Sequence, residues 1–142
     1  MPMQPYLFFE GRTEEALDFY RQALGAEVQM MMRYRESPDP ARCPDGSPPP
    51  GDKVMHACVT IGDTQIMASD GFCSGKPKFE GFSLSYPARD EADAKRRFEA
   101  LAKGGEVQMP LGETFFARSF GMVKDKFGIG WMVIAGQKEP GK

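Results

Sequence analysis

Glu27-Val28-Gln29-Met30 and Glu106-Val107-Gln108-Met109 carry the same tetrapeptide, and each copy follows a glycine that ends a helical pattern. The first copy lies behind Gly25-Ala26 and the second behind Gly104-Gly105. The copies begin at residues 27 and 106, so their offset is 79 residues in a chain of 142. A repeat of that length is too long for a solenoid and indicates a duplicated half-domain.

The composition excludes several classes of protein. Apolar residues make up 41% and charged residues 27% of the chain, which is typical of a globular domain with a buried core. A net charge of −2 offers no basic surface for nucleic acid. The longest apolar runs, such as Met30-Met31-Met32, are too short to cross a bilayer. We therefore expect neither a nucleic acid nor a membrane as partner.

The N-terminal segment and the cysteines predict a cytoplasmic location. The first six residues, Met-Pro-Met-Gln-Pro-Tyr, lack the charged and apolar regions of a signal peptide. Cys43, Cys58 and Cys73 form an odd set without metal-type spacing. We interpret each as a buried or loop thiol in a reducing compartment.

Each half of the chain is predicted to form a strand, a helix and three further strands. In the first half these are a strand at 6–9, a helix from the N-cap Thr13 to Gly25, a strand at 27–34, a proline-rich loop at 35–53, and a hairpin of strands 54–61 and 65–69 across Gly62-Asp63. In the second half they are a strand at 82–86, a helix from the N-cap Asp90 to Gly104, a strand at 106–109 ended by Pro110, and strands at 116–124 and 130–134. The tail from 136 to 142 is expected to fray.

This order predicts an α+β fold of two βαβββ modules, at about 3–70 and 80–135, within a single domain 1–142. A curled sheet with one helix outside leaves its concave face uncovered. We therefore expect the two modules to form a cup-shaped mixed sheet with the helices on the outer face. The cavity of such a cup would be the natural ligand site.

Several motifs resemble one known superfamily. Phe19-Tyr20 followed by Leu24-Gly25 is similar to the opening of the vicinal oxygen chelate proteins, which include glyoxalase I, bleomycin-resistance proteins and extradiol dioxygenases. The motifs that resemble its PhnB-like branch, also labelled demethylubiquinone methyltransferase-like, are Tyr6-Leu7-Phe8-Phe9, Gly51-Asp52-Lys53-Val54-Met55-His56-Ala57, Ile61-Gly62-Asp63, Met67-Ala68-Ser69-Asp70, Val107-Gln108-Met109-Pro110, Phe120-Gly121-Met122-Val123 and Phe127-Gly128-Ile129-Gly130-Trp131.

The resemblance covers nearly the whole chain, and it implies the paired βαβββ fold and a homodimer. It does not extend to a cofactor site of the nucleotide type. No glycine-rich loop leads from a strand to a helix, as a nucleotide-like cofactor would require. We therefore expect no cofactor.

The same resemblance implies four positions for metal ligands. Metal-dependent members use His or Glu on the first strand, Glu or Gln on the fourth, His on the fifth and Glu on the last. Here these positions fall on Pro5, with Gln4 adjacent, and on Met67, Ser83 and Met132. Zn²⁺, Ni²⁺ and Mn²⁺ need deprotonated oxygen or imidazole donors, so we predict that no metal binds at the family site.

His56 and Asp70 are the candidate catalytic residues. His56 is the only histidine in the chain and the only side chain expected to titrate near neutrality without a large pKa shift. Its role is either acid/base chemistry or a hydrogen bond to a substrate in the cup, or else a structural bond in the sheet or at a dimer interface. Asp70 leaves a strand beside the cavity, where it is either a base paired with His56 or part of an Asp-Gly turn.

Further residues are predicted to contact a ligand in the cup. Methionines adapt to varied apolar ligands or fill a core, and aromatic rings stack on a flat ligand or pack internally. An arginine binds an anionic group or faces solvent. Serines line the cup if the apolar residues between them face the helix. These predicted contacts are Met67, Ser83, Ser85, Phe115, Phe116, Arg118, Trp131 and Met132.

Three functions remain open at this stage. The first is a metal-free protein that binds a small apolar or aromatic molecule, with or without an anionic group, in the cup, as an enzyme or by sequestering it. The second is a lyase or dioxygenase with an atypical metal site that uses His56 with Asp70 or Glu113. The third is a dimeric, non-enzymatic binding module whose proline-rich loop contacts a partner.

Overall fold

The computed structural model describes residues 3–38, 50–71 and 76–138. Its contacts divide the chain into two compact units, Met1–Pro77 and Lys78–Lys142. Within the described residues each unit contains one α-helix and one four-stranded mixed sheet. The predicted α+β class and the two βαβββ modules are therefore confirmed. Neither helix in the described ranges is long and apolar enough to cross a bilayer.

The first unit follows the predicted order of elements. These are β1 (Tyr6–Phe8), α1 (Thr13–Leu24), β2 (Glu27–Arg33), a single 3-10 turn (Tyr34–Glu36), β3 (Val54–Ile61) and β4 (Thr64–Ser69). The strand order in the sheet is β1-β4-β3-β2, with β1 parallel to β4 and the other neighbours antiparallel. The hairpin across Gly62-Asp63 is confirmed. Most of the predicted proline-rich loop, residues 39–49, lies outside the described residues.

α1 ends as predicted but begins differently. Gly25 follows the helix with a φ of 69°, and its N–H donates to the Arg21 carbonyl, which is a left-handed C-terminal cap. The predicted N-cap, Thr13, is wrong. Arg12 holds the N-cap position without a side-chain bond, and Thr13 is the first helical residue. The orphan N–H of Thr13 instead donates to the Asp70 carboxylate over 2.9 Å.

The core of the first unit lies between α1 and one face of its sheet. The helix buries a stripe at helical spacing, and the strands bury every second residue against it. The buried helical residues are Thr13, Ala16, Leu17, Tyr20, Ala23 and Leu24. The strand residues buried on the same side include Leu7, Ala57, Val59, Ile66 and Ala68.

The second unit repeats this plan. Its elements are β5 (Ser83–Pro87), α2 (Glu91–Ala102), β6 (Glu106–Gly112), β7 (Ala117–Lys124) and β8 (Gly130–Gln137). The strand order is β5-β8-β7-β6, with β5 parallel to β8. Asp90 caps α2 as predicted, because its carboxylate accepts the Asp93 N–H over 2.7 Å. β8 extends beyond the predicted end at residue 134, and residues 139–142 lie outside the described residues.

The predicted end of β6 at Pro110 is wrong. β6 continues through Pro110 to Gly112. Among the strands of residues 3–38, 50–71 and 76–138, β6 is last in its sheet and pairs only with β7, so its other edge tolerates a residue without an N–H.

The two Glu-Val-Gln-Met copies form the starts of β2 and β6, and each contains a register shift. Val28 pairs with Val59 and Met30 with Cys58, the next residue back along β3. Gln29 is therefore an extra residue in β2 that has no partner in the register. In the second unit Val107 pairs with Val123 and Met109 with Met122. Such a bulge re-phases the alternation of side chains. It places Met30 and Met109 on the sheet face directed away from the helix.

Candidate functional site

The candidate site lies on the far face of the first sheet, by which we mean the face directed away from α1. Three neighbouring strands carry aromatic, sulfur-containing or imidazole side chains on this face. They are Tyr6 and Phe8 on β1, Met67 on β4, and His56 and Cys58 on β3. The register pairs Tyr6 with Met67 and Met67 with Cys58, so these residues are direct neighbours across the strands.

Aromatic surface on β1 is accessible. The side chains of Tyr6 and Phe8 remain 38% and 39% exposed, although both are large and apolar. Their rings stack with centroids 5.0 Å apart and an interplanar angle of 29°. The His56 ring lies 5.5 Å from the Tyr6 ring. Together these rings form a partly exposed aromatic platform, and stacked π surfaces of this kind bind flat apolar groups.

Both ring nitrogens of His56 have partners. The Tyr6 hydroxyl lies 2.9 Å from Nδ1, and the Cys58 sulfur lies 3.5 Å from Nε2. In one tautomer Tyr6 donates to Nδ1, and in the other Nδ1–H donates to the Tyr6 oxygen. The arrangement can therefore relay a proton between the hydroxyl, the imidazole and the thiol.

The Tyr6 hydroxyl remains a neutral donor at physiological pH. Burial raises the pKa of Tyr6 above its ordinary value; a hydrogen bond with the Ser69 side chain opposes the rise, and the nearby Cys58 adds to it. The group therefore stays protonated and can donate to a ligand or to the imidazole.

Asp70 has a structural position and does not pair with His56. Its residue is only 3% exposed, and its carboxylate accepts backbone N–H bonds from Gly11 at 3.0 Å, Thr13 at 2.9 Å and Val54 at 2.7 Å. These bonds fasten the start of β3 and the β1–α1 connection. The sequence placed Asp70 at the end of its strand correctly, but the pairing with His56 is not present.

The predicted contacts in the second unit lie at two places: Ser83, Ser85 and Met132 on β5 and β8, and Phe115, Phe116 and Arg118 at or just before the start of β7. Ser85 pairs with Met132, which pairs with Met122, so these three share the sheet face directed away from α2. Ser83 lies two residues before Ser85 on β5, opposite Gly130. Phe115 is almost fully exposed, and Phe116 packs edge-on against both Phe115 and Phe120. Arg118 is an exposed residue of β7.

Trp131 lies in the core of the second unit. It is 3% exposed and shares the helix side of β8 with the buried Val133 and Ala135. Its Nε1–H donates to the Asp125 carboxylate over 2.9 Å, and the other carboxylate oxygen accepts the N–H groups of Phe127 and Ile129. This bond orients the indole within the turn that precedes β8.

A groove of about 560 Å³ lies beside α2, lined by Phe98, Leu111, Lys95 and Glu99 among others. None of the residues that line it was predicted to bind a ligand, and three of them, Glu91, Lys95 and Glu99, are charged. The stacked, partly exposed rings of Tyr6 and Phe8 lie elsewhere, on the far face of the first sheet.

The residues at the family's metal positions do not fit a hard divalent ion. The Met67 N–H donates to the Pro5 carbonyl over 3.0 Å, so the first-strand and fourth-strand positions are adjacent as the resemblance implies. Their side chains are a pyrrolidine and a thioether, and neither is an oxygen or imidazole donor. Glu113 forms an ion pair with Lys138 at 2.7 Å. Within residues 3–38, 50–71 and 76–138, no three His, Cys, Asp or Glu side chains converge.

Tyr6, Phe8 and Cys58 of the far face were missed by sequence reasoning. Cys58 lies two residues after His56 on one strand, and the two-residue period of a strand places both on one face. That signal was available. Tyr6 required knowledge that β1 adds in parallel beside β4, which the local pattern of β1 does not contain.

Comparison with known proteins assigns the chain to a family. A family model described as 3-demethylubiquinone-9 3-methyltransferase matches residues 2–134. Protein YjdN of Escherichia coli strain K12 is 38% identical over 145 residues, covering 99% of each chain. The structure of PA1353 from Pseudomonas aeruginosa shares 41% identity with a TM-score of 0.81 and covers 97% of this chain and 99% of that one. The PhnB protein of Bacillus cereus shares 28% identity with a TM-score of 0.79, covering 96% and 100%.

More distant structures share the fold alone. A glyoxylase/bleomycin resistance protein/dioxygenase domain from Frankia aligns with a TM-score of 0.61 at 18% identity, covering 96% of this chain and 98% of that one. By the family model and the relative in Escherichia coli, this chain belongs to the 3-demethylubiquinone-9 3-methyltransferase family.

Proposed function

We propose that this protein binds a small apolar or aromatic molecule on the far face of its first sheet, without the hard divalent ion of metal-dependent relatives. The observation that carries the proposal is the stacked, partly exposed pair of Tyr6 and Phe8, with the Tyr6 hydroxyl 2.9 Å from His56 Nδ1. An apolar surface with one convergent polar group is the usual composition of a small-molecule site.

The neighbouring methionines support an apolar ligand of variable shape. Met30 on β2 is 41% exposed, and Met67 lies between Tyr6 and Cys58. Thioether side chains have several rotatable bonds and a polarizable sulfur, so they adapt to ligands of different outline.

The polar contacts favour a ligand that carries a hydrogen-bond acceptor. Tyr6 is a neutral donor at physiological pH, and burial raises the pKa of its hydroxyl further. The imidazole can donate or accept according to its tautomer. A carboxylate or carbonyl on an otherwise aromatic molecule would satisfy these groups. We attribute the anionic group that the sequence analysis allows for the ligand to these donors rather than to Arg118, which lies on β7 of the second unit.

The homodimer and the cytoplasmic location belong to the same proposal. The resemblance supports the first, and the odd set of three cysteines without metal-type spacing supports the second. Size-exclusion chromatography with light scattering tests the dimer directly, since it gives the molar mass without reference to shape.

A thermal-shift screen tests the binding proposal. Planar aromatic and heteroaromatic compounds, with and without a carboxylate, are added to the purified chain. At a concentration of about 100 times the dissociation constant, a ligand that binds only the folded state stabilises it by about 2.7 kcal/mol, which is about 5–10 °C in Tm for a chain of this size.

Three variants locate the site. Phe8→Leu removes the stacking surface, Tyr6→Phe removes the hydroxyl, and His56→Gln removes the imidazole. We expect each to weaken the best compound about 3- to 30-fold, and Met3→Ala, at a 99% exposed residue, to leave its affinity unchanged. The proposal fails if no compound shifts Tm, or if the three site variants bind the compound as tightly as Met3→Ala does.

A further inference from the structure

The far face of the first sheet carries a continuous row of sulfur side chains. The register pairs Met30 on β2 with Cys58 on β3, and Cys58 with Met67 on β4. Residues paired in this way have Cβ atoms about 4.5–5.5 Å apart on one face of the sheet. Cys58 is therefore flanked on both sides by a thioether.

His56 adds a nitrogen donor to this row. Its Nε2 lies 3.5 Å from the Cys58 sulfur. In tetrahedral zinc sites, nitrogen and sulfur ligands lie at about 2.0 and 2.3 Å from the ion, so the two donor atoms are about 3.5 Å from each other. The separation in this chain already matches that of two ligands of one ion.

The other ring nitrogen of His56 is held in the way that metal-binding histidines require. A histidine that coordinates through one nitrogen almost always donates its other N–H to an acceptor, which fixes the tautomer and the ring orientation. The Tyr6 oxygen, 2.9 Å from Nδ1, can accept that bond. Coordination through Nε2 therefore needs only the tautomer that carries its proton on Nδ1.

We propose that Cys58 and His56, with the thioethers of Met30 and Met67, bind a soft monovalent cation of the copper(I) class. Thiolate and thioether ligands select such ions, whereas Mg²⁺, Mn²⁺ and Zn²⁺ prefer oxygen, or nitrogen with thiolate. On binding, the ion replaces the proton of the Cys58 thiol, so one proton is released per ion and no oxidation occurs. This site goes beyond the proposed small-molecule function and does not depend on it.

The second unit supplies a matched comparison. Its register forms an equivalent row, Met109 with Met122 and Met122 with Met132. That row has methionine where the first has Cys58, and it contains no histidine, because His56 is the only one in the chain. If binding requires a thiolate and an imidazole, the ion should bind at the row of the first unit and not at the row of the second.

The test is anaerobic titration of copper(I) against a chromophoric copper(I) chelator. The full chain is used with Cys43 and Cys73 replaced by serine, because those thiols lie outside the described residues and would compete. We expect one equivalent of copper(I), retained against the chelator. Cys58→Ser should lower the affinity at least 100-fold. Met30→Leu combined with Met67→Leu, and Tyr6→Phe alone, should each lower it about 10-fold or more.

Met109→Leu combined with Met132→Leu is the control, and it should leave the affinity unchanged. The proposal would be overturned if the two double methionine variants lost copper(I) affinity equally, or if Cys58→Ser kept the full affinity. X-ray absorption at the copper edge on the protein with Met30, Cys58 and Met67 intact avoids any folding defect of the variants. It should show one nitrogen and two or three sulfur neighbours, and a shell of oxygen and nitrogen alone would equally overturn it.

Discussion

The Asp70 carboxylate accepts the backbone N–H of Thr13, the first residue of α1, over 2.9 Å. It thus supplies the helix cap that Arg12, in the N-cap position, lacks. The same carboxylate holds Gly11 and Val54, so a single buried side chain joins the β1–α1 connection to the start of β3. Asp70, predicted from the sequence as a candidate base, therefore has a structural role in this chain.

Asp70→Asn should therefore destabilise the protein. The amide keeps one acceptor oxygen but turns a donor toward backbone N–H groups, leaving at least one of them unpaired. Buried bonds to a charged acceptor contribute about 1.5–3 kcal/mol each, so we expect the free energy of unfolding to fall by about 2–4 kcal/mol. Urea unfolding measures this, with Asp63→Asn in the exposed hairpin turn as the matched control. A stable Asp70→Asn variant that loses ligand affinity would return Asp70 to the binding site.

Trp131→Phe should lower stability and leave ligand affinity unaltered. Phenylalanine keeps most of the buried surface but removes the Nε1–H donor to Asp125, at a cost of about 1–3 kcal/mol. A double-mutant cycle with Asp125→Asn should give a coupling energy above about 0.5 kcal/mol, because the two side chains share one bond. A loss of compound affinity at full stability would show instead that the indole contacts the ligand.

The ionised Asp93 carboxylate should contribute to the free energy of unfolding above about pH 4, and this contribution should be lost in acid. Burial raises the pKa of this carboxyl, but the hydrogen bonds from Arg96 and the Arg89 N–H, with the charges of Arg97 and Arg89, hold it below its ordinary value. A carboxyl whose pKa is lowered on folding contributes stability above its unfolded pKa, near 3.9, and loses it as the pH falls through the folded value.

We therefore expect Asp93→Asn to cost about 1–3 kcal/mol at pH 7 and clearly less at pH 3, measured by urea unfolding at both values. Glu91→Gln, an exposed carboxylate in the same first turn of α2, is the control and should cost under 1 kcal/mol. An equal loss for Asp93→Asn at the two pH values would contradict the linkage.

The residue before each Glu-Val-Gln-Met copy differs, and the structure explains the difference. A Cβ on Gly105 would collide with the Lys124 carbonyl oxygen and the Asp125 backbone, whereas the first unit accommodates Ala26 in a buried position. Gly105→Ala should therefore cost at least about 2 kcal/mol, since backbone must move to make room. Ala26→Gly should cost about 1 kcal/mol. Similar losses for the two changes in chemical denaturation would contradict this packing.

Local chemistry explains what could be predicted from the sequence. Gly25 ends α1 and Asp90 caps α2 as expected, because each acts through backbone groups within four residues of itself. Contacts set by strand order could not be predicted in this way. Pro110 is compatible with β6 only because β6 is an edge strand, and Asp70 reaches Thr13 only because β4 lies beside β1. The site divides similarly, since His56 with Cys58 follows from strand period and Tyr6 does not.

The most direct test of the central claim is NMR of protein labelled with ¹³C at the methionine methyl groups. The compound that binds best in the thermal-shift screen is added until the site is saturated, and the signals are assigned by single Met→Leu substitutions. If the far face of the first sheet is the binding surface, the methyl signals of Met30 and Met67 should shift markedly, and the signal of the exposed Met3 should not. A compound that binds and leaves both Met30 and Met67 unshifted would contradict the account.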